Sequence, residues 1–370
     1  MTERVVVVGA GVIGLSIAWR AAAAGLQVTT VDEAPGSGAS WAAAGMLAPV
    51  TEVHYGEEDL LRLNLTAAER YPEFVAELED ASGQDPGYRR CGMVAVARDA
   101  DDVAALQDLF AFQRELGLRV ERLTGGEVRA LEPSLAPGAR GGVLVEGDHQ
   151  VDNRALVEAL MAACERAGVS HRAARVRALT DDGGVELTDG DVLEADVVVL
   201  CAGCWTNAIA GLPRDALPPV RPVKGQLLHL KGPSSPELVG RSIRGLDVYI
   251  VPRRDGRVVV GATVEELGFD LRATAGGVFG LLRAAYELLP GITELELTEI
   301  SVGLRPGSPD NAPIIGPTSR EGVVVATGHY RNGILLAPVT ADAVVELVTT
   351  GAVPPLVAGF GPGRFESVSA

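Results

Sequence analysis

Lysine is almost missing from this chain: Lys224 and Lys231 are the only two among 32 basic side chains, and all the others are arginine. Such a bias fills many positions with arginine without any role, so each arginine has to be argued from its neighbours. Positive charge as a whole is also short. The 49 acidic residues leave a net charge of −17, which repels phosphate backbones and anionic membrane surfaces, so neither nucleic acid nor a membrane is an expected partner. Cysteine is scarce. Cys91, Cys164, Cys201 and Cys204 are too few for a disulfide scaffold in 370 residues, and they fit a reducing cytoplasm. The Cys201-x-x-Cys204 spacing has no second Cys or His pair at ligand distance, which reduces it to packing and turn residues. No run of about 18 apolar residues free of charge and glycine occurs, which argues against a membrane span. Repeats and low-complexity tracts are absent too.

What is present is ordinary globular composition, 47% hydrophobic and 22% charged, over a length that suits two domains. The most informative segment is the first. Val5 to Val8 form an apolar β-run that enters the turn Gly9-Ala10-Gly11-Val12-Ile13-Gly14, and a second apolar run, Val28 to Val31, closes on Asp32. Gly9 supplies the turn's backbone angles, Gly11 lets a pyrophosphate approach the main chain, and Gly14 lets helix and strand pack closely. The helix N-terminus behind the turn favours phosphate charge, and Asp32 can accept hydrogen bonds from ribose hydroxyls. Together with the helical segment Gly14 to Ala24 and the closing Gly25, these features predict a bound dinucleotide, NAD or FAD. The first two dozen residues also carry Arg4, an apolar stretch and an Ala-rich end, as a secretion signal would. Cleavage there would destroy the dinucleotide unit, so export is not expected.

Residues 57 to 82 read as one or two helices, with Leu60, Leu61, Leu65, Phe74, Val75 and Leu78 at helical spacing. Strands are expected at Cys91 to Val96 and Gly141 to Val145, and a helix at Asp101 to Leu116. A short helix from Thr124 to Leu131 is capped by Thr124 with Glu127 three residues on. Asp152 to Ala167 is an amphipathic helix, and a hairpin turns about Asp189-Gly190. Val197 to Leu200 is a fully buried strand of the kind parallel sheets use. From Leu227 to Val264 strands dominate, and residues 276 to 289 form a helix stopped by Pro290-Gly291. A strand at Val323 to Ala326 then precedes a glycine-bearing turn and a closing helix, Ala341 to Val348. This order predicts an α/β (α+β) fold. A two-dinucleotide-binding-type domain is assembled from 1–82, 145–217 and 303–365, a sheet-rich substrate domain is inserted as 83–144 and 218–302, and 366–370 is a tail.

Five stretches, in order and spanning nearly the whole chain, carry a family resemblance. They are Gly9 to Gly14, Ser40-Trp41-Ala42-Ala43-Ala44-Gly45-Met46-Leu47-Ala48, Tyr249-Ile250-Val251-Pro252-Arg253, Gly303-Leu304-Arg305-Pro306-Gly307, and Gly328 to Pro338. The chain resembles the D-amino-acid oxidase and sarcosine oxidase family of FAD-dependent amine oxidoreductases, on its glycine oxidase branch. The first stretch is shared by many nucleotide enzymes, whereas the second and last are far more specific and imply FAD. By this resemblance Asp32, Glu33, Ala39, Ser40, Ala44, Gly45, Met46 and Val176 contact FAD. His329, Tyr330, Arg331, Asn332, Gly333, Ile334 and Leu335 run past its pyrimidine edge. Small residues from Ala42 to Gly45 let the backbone lie against the flavin ring, and Met46 and Leu47 wall it. Relatives usually have Glu where this chain has Asp32. Monomeric sarcosine oxidases tether FAD through a cysteine in the C-terminal part, and none follows Cys204 here, so noncovalent FAD is expected. The lysine those enzymes use for oxygen activation has no counterpart in Gly261-Ala262-Thr263-Val264.

The resemblance also implies a catalytic and substrate-binding set of Tyr249, Arg305 and Arg331. Arg305 holds a carboxylate by two parallel N–H bonds, Tyr249 donates another, and Arg331 borders the substrate. An amine bound with its nitrogen deprotonated passes its α-hydrogen as hydride to flavin N5, and O2 then reoxidises the flavin to give hydrogen peroxide. Positioning supplies most of the acceleration. The implied activity is oxidative deamination of glycine, sarcosine and small D-amino acids. From glycine it gives ammonia and glyoxylate, or the imine itself for the thiazole part of thiamine, in a cytoplasmic homotetramer. The alternatives are a D-amino-acid or sarcosine oxidase specificity, a flavin dehydrogenase serving an acceptor other than oxygen, and a non-catalytic nucleotide-binding regulator. Tyr249 and Arg305 argue against the last.

Overall fold

The computed structural model describes residues 3–212 and 218–368. Val5 to Val8 are all buried, and their strand, Arg4–Val8, pairs in parallel with Gln27–Val31 on one side and Val197–Leu200 on the other. An unbroken run of valine has no polar face to show to water, so it takes a central place in a sheet covered on both sides. The six-stranded sheet runs Ile314–Pro317, Val323–Thr327, Val197–Leu200, Arg4–Val8, Gln27–Val31, Ser170–Arg172. Its edge strand Ile314–Pro317 is antiparallel and the remaining pairings are parallel. Helices Val12–Ala23, Glu58–Ser82, Asn153–Arg166 and Gly333–Thr350 share one core, in which Leu15, Trp19, Phe74, Leu156 and Val339 meet. A second core forms where the strands Val176–Leu179, Val185–Leu187 and Val192–Leu193 pack Val176 and Leu187 against Val6, Val31 and Leu200.

The eight-stranded sheet runs Glu296–Gly307, Arg221–Lys231, Arg257–Gly261, Tyr249–Pro252, Ser242–Arg244, Met93–Ala97, Gly141–Val145, Glu121–Thr124. Leu228, Ile250 and Val260 on one face pack with Leu281, Ala285 and Leu288 of helix Ala275–Leu288. The alternate residues, Leu227, Tyr249, Val251 and Val259, cluster with Ala44 from the nucleotide side. The two-residue period of these strands therefore sends one face to a helix and the other to the seam between the two sheets. Local signals hold as expected: the Asp152 carboxylate accepts from the Arg154 and Ala155 amides, and Thr124 and Glu127 form a capping box.

Of the one or two helices expected over 57–82, one forms, Glu58–Ser82, despite Pro72. Elsewhere the structure departs from expectation. The closing helix begins at Gly333, eight residues before Ala341, and takes in the glycine-bearing segment read as a turn. Gly333 and Pro338 both lower helix propensity, but burial of Ile334 through Ala341 outweighs it. That helix is long and apolar enough to cross a membrane by composition, yet it packs on helices Val12–Ala23 and Glu58–Ser82. The strand Glu296–Gly307 stays in register with Arg221–Lys231 to its end, Val223 opposite Arg305 and Arg221 opposite Gly307. The pairing of this sheet therefore runs past the boundary expected at 302. Finally, Pro362–Val368 is a 3₁₀ helix, so regular backbone crosses the expected start of the tail at 366. Residues 369–370 of that tail, and the expected domain boundary in 213–217, lie outside the described residues.

Candidate active site

A cavity of about 1000 Å³ runs along the seam from the Gly9 turn to Tyr249 and Arg305, at the upper end of the size range for small-molecule sites. At its nucleotide end Gly9 has a φ of +99°, and a Cβ there would sit 2.6 Å from the Cys201 carbonyl oxygen. A Cβ on Gly14 would sit 1.9 Å from the Gly9 carbonyl oxygen, so Gly14 serves helix–strand packing and does not line the cavity. The N-cap of helix Val12–Ala23 is Gly11, which has no side chain to cap with. Ser40 does this from another segment, its Oγ accepting from the Val12 amide at 2.9 Å. Asp32 accepts from the amides of Ala10 and Ala34, both at 2.8 Å, and this pair of bonds fixes its carboxylate at the cavity wall. Glu33 is paired with Arg175 at 2.6 Å, and Val176 is a buried wall residue.

In the middle of the cavity Ala39–Ala42 is one turn of helix, after which Ala43 turns extended. Gly45 has a φ of +70° and a Cβ there would meet the Val151 carbonyl oxygen at 2.0 Å, so the small-residue stretch lies backbone-first on its neighbours. Two side chains hold it from behind. Asn153 Nδ2 donates to the carbonyls of Ser40 and Trp41, both at 2.9 Å, and Arg253 Nη2 donates to the Ala44 carbonyl at 2.7 Å. Arg253 also bonds Gln150 and Asn153; burial pulls its guanidinium down to about 10, so it stays charged at neutral pH. Cys201 and Cys204 are buried packing residues of the wall, and burial holds both thiols well above their usual range.

The far end is cationic. Arg305 projects from strand Glu296–Gly307, and among the described residues its Nη1 donates to backbone, the Thr263 carbonyl at 3.2 Å and the Lys224 carbonyl at 3.4 Å. Tyr249 lies beside it; burial pushes its phenol up while the Arg305 charge pulls the other way, so the hydroxyl remains a donor. Glycines seat both groups. A Cβ on Gly225 would lie 2.5 Å from both terminal nitrogens of Arg305, and one on Gly261 would lie 2.4 Å from the Tyr249 hydroxyl. Tyr330 adopts a φ of +47° and its amide donates to the Pro306 carbonyl at 3.0 Å, which ties the turn bearing Arg331 to the strand bearing Arg305. Arg331 faces Glu52 at 4.0 Å and Glu57 at 3.8 Å. Glu52, with Arg244 at 3.0 Å, also lines the cavity. Its carboxyl is held below the usual value by Arg244 and Arg331, against the opposing effect of burial. His329 Nε2 is 3.0 Å from the Thr340 hydroxyl, and burial lowers it to about 3, so it is neutral.

The family profile described as "FAD dependent oxidoreductase" (DAO) matches residues 4–347. The chain belongs to this FAD-dependent oxidoreductase family. It is 36% identical over 356 residues to a glycine oxidase of Geobacillus kaustophilus, covering 94% of each chain. The crystal structure of glycine oxidase from that organism superposes with a TM-score of 0.90 at 33% identity, covering 98% of this chain and 99% of that one. A bifunctional protein ThiO/ThiG of Trichormus variabilis is 35% identical over 381 residues, 99% of this chain and 56% of that protein. The chain thus spans about half the length of the bifunctional relatives it matches.

The cavity fits the family's cofactor. Gly9, Gly11, Val12, Ile13 and Asp32 suit the adenosine and pyrophosphate part, and Ala39, Ser40, Ala44, Gly45 and Met46 line the stretch beyond. Of the segment expected at the flavin edge, His329, Tyr330, Arg331, Gly333 and Ile334 line the cavity. Asn332 and Leu335 do not. Asn332 is the N-cap of the last helix, its amide donating to the His329 carbonyl at 2.9 Å, and Leu335 points into the helical core. Helical phase explains this, since Ile334 and Leu335 lie about 100° apart around the axis once the helix begins at Gly333, and only the first borders the cavity as well as the core. Glu52, Arg244, Arg253, Gly225 and Gly261 were not expected as site residues. Their partners lie elsewhere in the chain; Arg253 alone had a motif signal, as the last residue of Tyr-Ile-Val-Pro-Arg.

Proposed function

We propose that this FAD-dependent oxidoreductase deaminates glycine and other small amines, sarcosine and small D-amino acids, with O2 as electron acceptor. From glycine the products are hydrogen peroxide and the imine, which serves as a building block for the thiazole of thiamine or is hydrolysed by water to glyoxylate and ammonia; the glycine oxidase and ThiO/ThiG relatives support this assignment. The observation that carries the reading is Arg305. Its guanidinium, bonded to two backbone carbonyls and to no carboxylate among the described residues, stands at the cavity end beside a protonated, buried Tyr249. A small carboxylate fits this pair, the guanidinium giving two parallel N–H bonds and the phenol a third. FAD, when bound, supplies the two-electron acceptor. The protein's part is to fix the α-carbon: the carboxylate clamp sets one end of the substrate, and the Ala43–Gly45 backbone and Met46 set the wall behind. The imidazole of His329 is neutral and held by Thr340. The substrate accordingly reacts as its free amine, with no protein base assigned.

The FAD is held without a covalent bond, a reading supported by the absence of any cysteine after Cys204. Free thiols at all four cysteines support a reducing cytoplasm. Exposed Val264 at the cavity and Leu267, Phe269 and Leu271 after it in the chain support self-assembly; the homotetramer is what the family resemblance implies. The test is the absorption spectrum of the purified protein in air, before and after glycine, with peroxide assayed in the same cuvette. Flavin bands that persist while peroxide accumulates support the oxidase. Bands that bleach and stay bleached favour a dehydrogenase with another acceptor, and no response to glycine refutes the substrate.

A further inference from the structure

Three guanidinium groups, Arg244, Arg305 and Arg331, line the substrate end of one cavity, although a small monocarboxylate amine needs one. Arg305 is the clamp argued above. The other two share a buried carboxylate, Glu52, whose Oε1 lies 3.0 Å from Arg244 Nη1 and whose Oε2 lies 4.0 Å from Arg331 Nε. Neither contact is a finished hydrogen bond: Glu52 Oε1 and Arg331 Nε are both buried without an aligned partner. Arg244 also sits 5.8 Å from the centre of the Tyr249 ring, so the ring that serves the clamp has this second cation on its flank. Glu57, 3.8 Å from Arg331, is already engaged by Asn311 at 2.8 Å.

Resting on the amine oxidase reading above, we propose that Glu52 is a specificity-determining residue that masks a second carboxylate site formed by Arg244 and Arg331. The charge balance argues for it. Asp247, which also lines this end, is paired with Arg98 at 3.4 Å; with Glu52 and Glu57 in place, the three arginines then carry one net positive charge, which a monocarboxylate substrate with a free amine neutralises. A dicarboxylate would leave one uncompensated negative charge at a site where burial makes that costly. Removing the Glu52 charge frees Arg244 and the unpartnered Arg331 Nε, and the balance then closes with two carboxylates. The masked site takes amines bearing a second acid group, on nitrogen or on the side chain, and the masking confines the enzyme to small monocarboxylates.

The test uses the FAD-loaded protein and two non-reacting probes, acetate and malonate, with dissociation constants read from perturbation of the flavin bands. The parent should bind malonate no more tightly than acetate. In Glu52→Gln malonate should gain about tenfold over acetate, the scale of one charge-assisted hydrogen bond in a buried site, and in Glu52→Gln combined with Arg244→Met that gain should vanish. Glu52→Asp, which keeps the charge, should behave as the parent. A parent that already prefers malonate about tenfold overturns the mask without recourse to any variant, as does an unchanged ratio in Glu52→Gln, or a gain that survives loss of Arg244. Glu52→Ser carries the same comparison where the glutamine variant does not retain FAD. These probes need no turnover, so failure here is separable from failure of the glycine reaction.

Discussion

Gly225→Ala is the sharpest test of how the clamp is built. The new methyl carbon would fall 2.5 Å from both terminal nitrogens of Arg305 and 2.6 Å from its Cζ, where ordinary contact begins near 3.4 Å. Strand Arg221–Lys231 pairs along its length with Glu296–Gly307, and beside Gly225 it bridges Glu265 through Lys224, so its backbone has little room to give. The guanidinium, whose carbonyl contacts are long at 3.2 and 3.4 Å, is the part that moves, by roughly 1 Å. A misplacement of that size costs roughly a hundredfold in rate, about 2.7 kcal/mol of transition-state stabilisation. Steady-state kinetics on glycine should therefore show kcat/KM falling by about two orders of magnitude, with FAD content and the thermal midpoint close to the parent. In an Arg305→Ala background the same substitution should cost almost nothing, because the group it displaces is gone. An equal loss in both backgrounds, or a Gly225→Ala enzyme within about threefold of the parent, would refute the seat.

Tyr249→Phe removes one donor to the carboxylate and should raise KM for glycine about tenfold with a smaller change in kcat; an unchanged KM would remove Tyr249 from substrate binding. Gly303→Ala places a Cβ 2.6 Å from that of Ala42, so it should push the Ala39–Ala42 turn and weaken FAD retention during gel filtration, while a fully yellow protein would count against that contact. Asp148 accepts from the Val50 and Thr51 amides at 3.2 and 2.7 Å, and burial pushes its carboxyl from 3.8 up to about 7. A carboxyl whose folded pKa lies above its unfolded one gains a proton on folding. Its contribution is therefore full below about pH 4, falls as pH rises to about 7, and is flat beyond. Asp148→Asn should flatten the fall in thermal midpoint between about pH 5 and about pH 7.5, and an unchanged fall would assign it to other groups.

Much of the fold was legible because its signals are local. The valine run Val5 to Val8, the Asp152 cap and the Thr124–Glu127 box each carry their own physical cause within a few residues, and each forms the element expected. The misses have the opposite character. Gly333 and Pro338 speak against a helix locally, and the helix forms because Ile334 through Ala341 find a core supplied by helices hundreds of residues earlier. The strand bearing Arg305 likewise runs through a Pro-Gly pair because an eleven-residue partner strand holds its register.

The site divides along the same line, and the division says what kind of residue a motif can reveal. In the proposed reading Arg305 and Tyr249 touch the substrate, so ligand chemistry dictates their types and they stand out in short stretches of sequence. Gly225 and Gly261 are dictated instead by the side chains they make room for, at positions 80 and 12 residues away, and an isolated glycine in a strand reads equally as a bulge. Glu52 is the extreme case. It sits in the segment 48–57, whose turn is held by Asp148 through the Val50 and Thr51 amides, and its partners Arg244 and Arg331 come from the substrate sheet and the last helix's approach turn. In an acidic, arginine-rich chain nothing marks this carboxylate among 49 acidic residues. Only the folded chain shows that it is buried between two cations beside the clamp, where changing one charge alters which carboxylates the cavity can accept.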